Sequence, residues 1–326
     1  MSSPRALRLG TRGSQLALWQ ARTVAARIAH AGGPACEIVV IKTSGDRLQE
    51  APLSEIGGKR LFVKEIEDAL LKGEVDLAVH SSKDMTTILP EGLVIGGTLP
   101  REDPLDAVVL PLGPQGLGLK AQATIDDLIE ALGHSPSIGT GSVRRIAQLT
   151  RLMPGARFTP IRGNLDTRLR KLDAGDHQAI VLAAAGLRRL GFASRISFTL
   201  PAAACVPAPG QGIVAIQTRD DDVRRIIESM DDDATLAARD ALTAERAVVE
   251  ALGGGCQTPI GALATPLDGE MLELAAVVIA LDGSRVVRAH GRAARREAAA
   301  FGASIGAQLI AEGADEILAE AQRISS

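Results

Sequence analysis

The sequence predicts an α/β protein: two doubly wound α/β domains joined by a hinge, followed by a small α+β domain with a three-stranded antiparallel sheet and helices. Three observations carry this. Strand-like apolar stretches alternate with helical periodicity over the first two hundred residues, the pattern of a largely parallel sheet. Two proline- and glycine-rich stretches, 100–114 and 201–212, interrupt that pattern and mark two chain crossings. The last ninety residues change texture, with one helix, then consecutive strands, then helices. A length of 326 residues fits two or three compact units.

In chain order, Ala6–Leu9 reads as a strand, and Ser14 is placed to cap a helix to about His30, closed by Gly32-Gly33-Pro34. Glu37–Lys42 is a second strand. Residues 61–72 place apolar side chains at 62, 66, 69 and 70, one face of a helix. Val75–His80 and Leu93–Leu99 are strands. Beyond the first crossing, 125–132 is helical, 137–139 a short strand, and 142–153 a helix capped by Ser142. A strand at 158–162, a helix at 165–174 and a buried apolar strand at 179–184 follow. Residues 213–217 return to the first sheet. The expected domains are therefore 1–104 with 206–230, then 105–205, then 231–326. In the last, 237–252 is a helix. Leu263, Met271–Leu281 and Arg285–His290 supply strands, with Asp282-Gly283 as a hairpin turn. Helical segments at about 294–311 and 314–322 close the chain.

Composition excludes several classes. The net charge is −3, and the chain has 5 Phe, 1 Trp and no Tyr, which argues against a nucleic-acid binder. Residues 1–9 have no apolar signal segment, and no run is long enough to span a membrane. The 3 cysteines form no CxxC pair, which suits neither a disulfide framework nor a zinc site. A cytoplasmic protein without a metal, a membrane or an obligate protein partner is expected. Of the 36 basic residues, 29 are arginine. Either genome composition or a demand for guanidinium forks toward carboxylates explains that bias.

Position favours the forks. Thr11-Arg12-Gly13-Ser14 lies where a strand meets a helix N-terminus, and Gly139-Thr140-Gly141-Ser142-Val143-Arg144-Arg145 repeats the arrangement. Arginines in a helix's first turn are unfavourable against its dipole, by about 0.3–1 kcal/mol each, unless an anion sits beside them. Neither segment is a nucleotide motif: Arg144 stands where a third glycine belongs, and no GxxxxGK[ST] occurs. Arg162, Arg168, Arg188 and Arg189 lie near the ends of expected strands, where open α/β sheets bind ligands. After Val75–His80, Asp84 is a candidate general acid/base or cation stabiliser and Lys83 a candidate carboxylate partner. The alternative is an Asp–Lys surface pair. His80 reads as a strand-end histidine. Cys256 follows three glycines, which remove neighbouring side chains and admit something bulky. Read alone, the run is more simply a helix C-cap with an incidental thiol.

These segments resemble the porphobilinogen deaminase (hydroxymethylbilane synthase) family over nearly the whole chain: 11–21 (TRGSQLALWQA), 57–71, 76–84 (DLAVHSSKD), 101–107 (REDPLDA), 162–175, 185–191 (AGLRRLG), 209–212 (PGQG) and 254–261 (GGCQTPIG). The resemblance implies three domains and a dipyrromethane cofactor bound through a thioether to Cys256. It implies that Asp84 contacts pyrrole nitrogens, and that Arg12, Ser14, Lys83, Ser142, Arg144, Arg145, Arg162, Arg168 and Arg189 hold acetate and propionate groups. Cofactor contacts are expected at Lys83, Asp84, Ser142, Arg144, Arg145 and Arg168, and substrate contacts at Arg12, Ser14, Arg162, Arg168 and Arg189. Four porphobilinogen molecules would be joined head to tail, with loss of ammonia, and released as hydroxymethylbilane for tetrapyrrole synthesis. Departures from the pattern are Ser44 for an arginine, Met85-Thr86 for Val-Pro, and Gly141 for a serine. The rival is a two-lobed, periplasmic-binding-protein-like protein that closes on an anion without catalysis. It has no use for Cys256 in a glycine run.

Overall fold

The computed structural model describes residues 5–47, 62–112, 123–254 and 258–325. Cys256 and the first part of the 57–71 motif lie outside them. Three sheets organise the chain. The first is built from β1 (Leu7–Thr11), β2 (Cys36–Val40), β3 (Leu77–Ser81), β4 (Leu93–Thr98) and, from far along the chain, β10 (Val214–Arg219), in the order β2-β1-β3-β10-β4. Helix α1 (Gln15–His30) begins where the Ser14 hydroxyl accepts the Ala17 N–H at 3.3 Å. It buries Ala17, Ala21, Val24 and Ile28, spaced three and four apart, against the sheet. A short α2 (Ser44–Arg47) and α3 (Lys64–Leu71) also belong to this unit, and α3 packs Ile66, Ala69 and Leu70 under β3.

The second sheet has the order β7-β6-β8-β5-β9. Its strands are β5 (Asp106–Val109), β6 (Ser137–Gly139), β7 (Arg157–Thr159), β8 (Ala179–Ala183) and β9 (Phe198–Leu200). Its helices are α4 (Ile125–Leu132), α5 (Val143–Leu152), α6 (Leu165–Asp173) and α7 (Ala184–Arg189). The two sheets share a design. Four strands of each run in one direction, and the strand that arrives from the other domain enters antiparallel at the fourth position: β10 between β3 and β4, β5 between β8 and β9. Each sheet is thus largely parallel, as expected, with one antiparallel strand that makes it mixed.

Strands β5 and β9 were not expected. Both are short and border proline-rich sequence, and their pairing is set by tertiary contacts rather than local pattern. The buried strand stops at Ala183, and the alanine-rich run behind it coils directly into α7. Arg188 and Arg189 therefore sit on a helix, not at the end of a strand.

After α8 (Asp222–Glu228), the long α9 (Asp233–Ala251) leads into a three-stranded antiparallel sheet of β11 (Ile260–Leu267), β12 (Met271–Ile279) and β13 (Val286–Ala294). Helices α10 (Ala298–Ala311) and α11 (Ala314–Ser325) cover its core with α9. The hairpin turn falls at Asp282-Gly283 as expected, with Gly283 at φ 74°. This unit is tied to both crossings by Glu245. Its fully buried carboxylate accepts Arg101 Nη1 at 2.6 Å, Gly210 N at 2.6 Å and Ala264 N at 2.7 Å. Among the described residues, no helix is long and apolar enough to cross a membrane, and no cluster of His, Cys, Asp and Glu is able to hold a metal ion.

Candidate active site

Two strand ends supply the site. In the first sheet, β3 delivers His80 and Ser81, and a 3-10 turn over Ser82–Asp84 then projects Lys83 and Asp84. In the second, β6 ends at Gly139 and the chain enters α5 through Ser142. Ser142 holds the N-cap position, but its hydroxyl makes no capping bond. Expected as a cap, it leaves the first-turn N–H groups of α5 without that bond, at a helix end where anions are favoured.

Arg144 and Arg145, in the first turn of α5, are only 5% and 7% exposed. The anion that their placement demands is supplied within the protein. Asp106, the first residue of β5, is fully buried between them. It accepts Arg144 Nη1 at 2.7 Å and Nη2 at 3.2 Å, and Arg145 Nε at 3.0 Å and Nη2 at 2.7 Å. Arg144 also donates to the Val206 carbonyl, and Arg145 to that of Val181, each at 2.8 Å. Burial alone raises a carboxyl's pKa, yet the two guanidiniums overcome it and hold Asp106 far below the usual carboxylate range. A guanidinium has five N–H donors. Both arginines keep donors to spare, and Arg144 Nε is buried without a partner among the described residues.

Lys83 and Arg168 face this cluster with too little negative charge. Burial, then the neighbouring Arg145, pushes the Lys83 ammonium down to about 8, against the opposing pull of Asp84 and Asp106. Burial and Arg145 likewise push Arg168 down to about 10, with Asp84 opposing and Arg162 adding to the effect. Among the described residues, neither Lys83, Arg168 nor Arg162 has a carboxylate within ion-pair distance. Arg168 Nε is held only by the Gly163 carbonyl at 2.8 Å. Asp84 stands among these cations as their shared counter-charge.

A recess of about 70 Å³ opens beside Asp84, lined by Arg12, Ser14, Gln20, Phe62, His80 and Ser81, among others. Arg12 is already engaged: it pairs with Asp46 at 2.5 Å and stacks 4.4 Å over the Phe62 ring. Ser14 spends an acceptor on its helix cap. Burial pushes His80 down to about 4, so it is neutral at physiological pH and supplies no acid there. Arg189 makes a different set of contacts. It donates to the Gly212 carbonyl at 2.7 Å and lies 5.6 Å over the Trp19 ring, while burial lowers it to about 10.

The structure thus brings Lys83, Asp84, Arg144, Arg145, Arg162 and Arg168 within one electrostatic neighbourhood. Arg12 and Ser14 share the recess with Asp84, and Arg189 stands at the contact between α7 and α1. Sequence reading missed Asp106 and Gln211. Both lie inside motifs it had singled out, 101–107 and 209–212, and the search for a counter-charge to two adjacent arginines would have found the first.

Comparison with known proteins fits this assembly. Residues 7–226 match the family model described as "Porphobilinogen deaminase, dipyromethane cofactor binding domain", and residues 240–311 match "Porphobilinogen deaminase, C-terminal domain". A relative from Bordetella parapertussis named porphobilinogen deaminase is 46% identical over 324 residues, 98% of each chain. One of the same name from Syntrophobacter fumaroxidans is 43% identical over 98% of this chain and 99% of its own. Among solved structures, immunogenic lipoprotein A from Vibrio vulnificus is similar over 71% of this chain and 97% of its own, at 12% identity and a TM-score of 0.41. With both family models in sequence and relatives matched end to end, the chain belongs to the porphobilinogen deaminase family.

Proposed function

We propose that the protein is a transferase of tetrapyrrole synthesis. It joins four porphobilinogen molecules head to tail with loss of ammonia and releases hydroxymethylbilane. The observation that carries this reading is the surplus of half-buried positive charge around Asp84. Lys83 and Arg168 are held below their ordinary pKa values by burial and then by the nearby Arg145. Such a site is completed by a bound polyanion whose carboxylates it pairs. A substrate with an acetate and a propionate on each pyrrole ring has that character. Family membership does not favour the non-catalytic binding-protein alternative.

The residues fit a dipyrromethane on the same grounds. Spare donors on Arg144 and Arg145, Arg144 Nε, which has no partner among the described residues, the Ser142 hydroxyl, which makes no capping bond, Lys83 and Arg168 would hold its four carboxylates, with Cys256 as the covalent attachment. When bound, this group supplies a pyrrole with a free α-carbon to which the chain is extended. Arg12, Ser14, Arg162 and Arg189 are proposed for the incoming substrate, and Arg12 would exchange Asp46 for a substrate carboxylate. Asp84 is proposed as the catalytic residue. As porphobilinogen loses ammonia, positive charge spreads over the ring and its N–H, and a fixed carboxylate there lowers the barrier. His80, neutral, is left to hydrogen bonding. Domains of 1–104 with 206–230, 105–205 and 231–326 give each crossing a hinge role as the product lengthens.

The direct test is incubation of purified protein with porphobilinogen. Four substrate molecules should disappear and four ammonia molecules appear for each linear tetrapyrrole formed. Binding of porphobilinogen without ammonia release would overturn the reading.

A further inference from the structure

Gln211 lies in the second crossing, fully buried, and belongs to no helix or strand. Its backbone is fixed on both sides. Gly210 and Gly212 adopt φ of 74° and 86°, and a Cβ at either would fall 2.6 Å from Ser82 Oγ or 2.2 Å from the Glu102 carbonyl. Only glycine fits both the conformation and the space. The Gln211 carbonyl accepts Arg101 Nε at 2.9 Å, and Gly210 N is held by Glu245.

The side-chain amide is oriented by its partners. Nε2 lies 2.7 Å from the Pro104 carbonyl and 2.9 Å from Asp106 Oδ1, both acceptors. The oxygen is therefore the atom turned to Lys83 Nζ, 3.4 Å away, which only donates. One amide thus touches the ammonium of the first domain's site and the carboxylate that holds both arginines of the second.

We propose that Gln211 is the positioning residue that couples the two halves of the cationic site, its oxygen holding Lys83 and its amide nitrogen orienting the Asp106 carboxylate between Arg144 and Arg145. The chain Lys83–Gln211–Asp106–Arg144/Arg145 crosses between domains through a turn that cannot relax, so movement of one carboxylate-binding group is transmitted to the other. This deepens the functional reading above, and its test does not depend on turnover.

The charged groups facing Lys83 are Asp84 from its own turn, Asp106 from β5, and Arg144 and Arg145 from α5. Gln211 adds the neutral acceptor. Acylation of Lys83 by acetic anhydride, which only the free amine undergoes, is followed against pH in the full-length protein by peptide mass spectrometry, with exposed Lys72 as internal reference. Gln211→Met removes both polar atoms at similar volume. The Lys83 midpoint should fall by about one pH unit, the scale of one hydrogen bond to a charged group, while that of Lys72 stays fixed. An unchanged Lys83 midpoint in the folded variant overturns the proposal. Should Gln211→Met not fold, Lys83→Met reads the same link from its other end. Amide hydrogen exchange over 207–213 should then accelerate at least severalfold, and unchanged exchange overturns it.

Discussion

Replacing Asp106 by Asn tests the internal ion cluster most sharply. The carboxylate is fully buried and receives four guanidinium hydrogen bonds, one from Gln211, and the Cys205 thiol at 3.4 Å. Asn keeps one acceptor, turns an NH2 toward donors, and leaves two buried guanidiniums without a counter-charge. Breaking a buried pair in this way costs about 3–5 kcal/mol, a large share of the 5–15 kcal/mol that stabilises a typical domain. With a urea slope of about 1–3 kcal/mol per molar, the midpoint of the second domain's transition should fall by roughly 1–5 M at pH 7. The pH dependence fixes the cause. A carboxyl held below its ordinary value stabilises fully above the unfolded pKa of about 4, and that contribution is lost as pH falls further. The gap between wild type and Asp106→Asn should therefore narrow below pH 4. Combining Asp106→Leu with Arg144→Met and Arg145→Met should recover much of the stability and none of the activity. A midpoint unchanged by Asp106→Asn, or a gap independent of pH between 7 and 3, would refute the reasoning.

The other site residues give distinct signatures. Asp84→Asn should retain the fold and lose roughly 10²-fold or more in porphobilinogen turnover, the scale of a positioned charge stabiliser, with Asp84→Glu intermediate; steady-state rates equal to wild type would exclude this role. Lys83, lowered to about 8 chiefly by burial, is protonated at a cost below that pH in the folded chain, and the cost is relieved as pH rises toward the unfolded value of about 10.4. Cofactor-free Lys83→Met should therefore be more stable in urea than its parent at pH 7, with the difference shrinking by pH 10, although turnover falls. A variant less stable at pH 7 contradicts that sign.

Much of the fold was legible because its local signals agree with its tertiary structure. Ser14 reads as a cap and is one; the apolar spacing after Gln15 and the Asp282-Gly283 turn behave likewise. Strands β5 and β9 were not legible, because four and three residues beside prolines carry no period, and only the neighbouring β8 and β5 make them strands. The same limit applies at the site. Arginines in a helix's first turn announce an anion but not its source. That Asp106 provides it, 38 positions earlier, follows from β5 entering the second sheet beside β8. Arg189 shows the converse: a motif singles it out, but the carbonyl and ring that it contacts belong to Gly212 and Trp19, from two other parts of the chain.

In the proposed function, this cationic site is built around a polyanion attached to Cys256. The intact mass of the denatured full-length protein tests it most directly. Wild type purified from cells should exceed the sequence mass by two linked pyrrole units, and the excess should localise to the peptide that contains Cys256. Cys256→Ser should show the bare sequence mass and almost no turnover, since a hydroxyl is far less nucleophilic than a thiolate. An unmodified mass in protein that turns over porphobilinogen, or an excess that survives Cys256→Ser, would contradict the account.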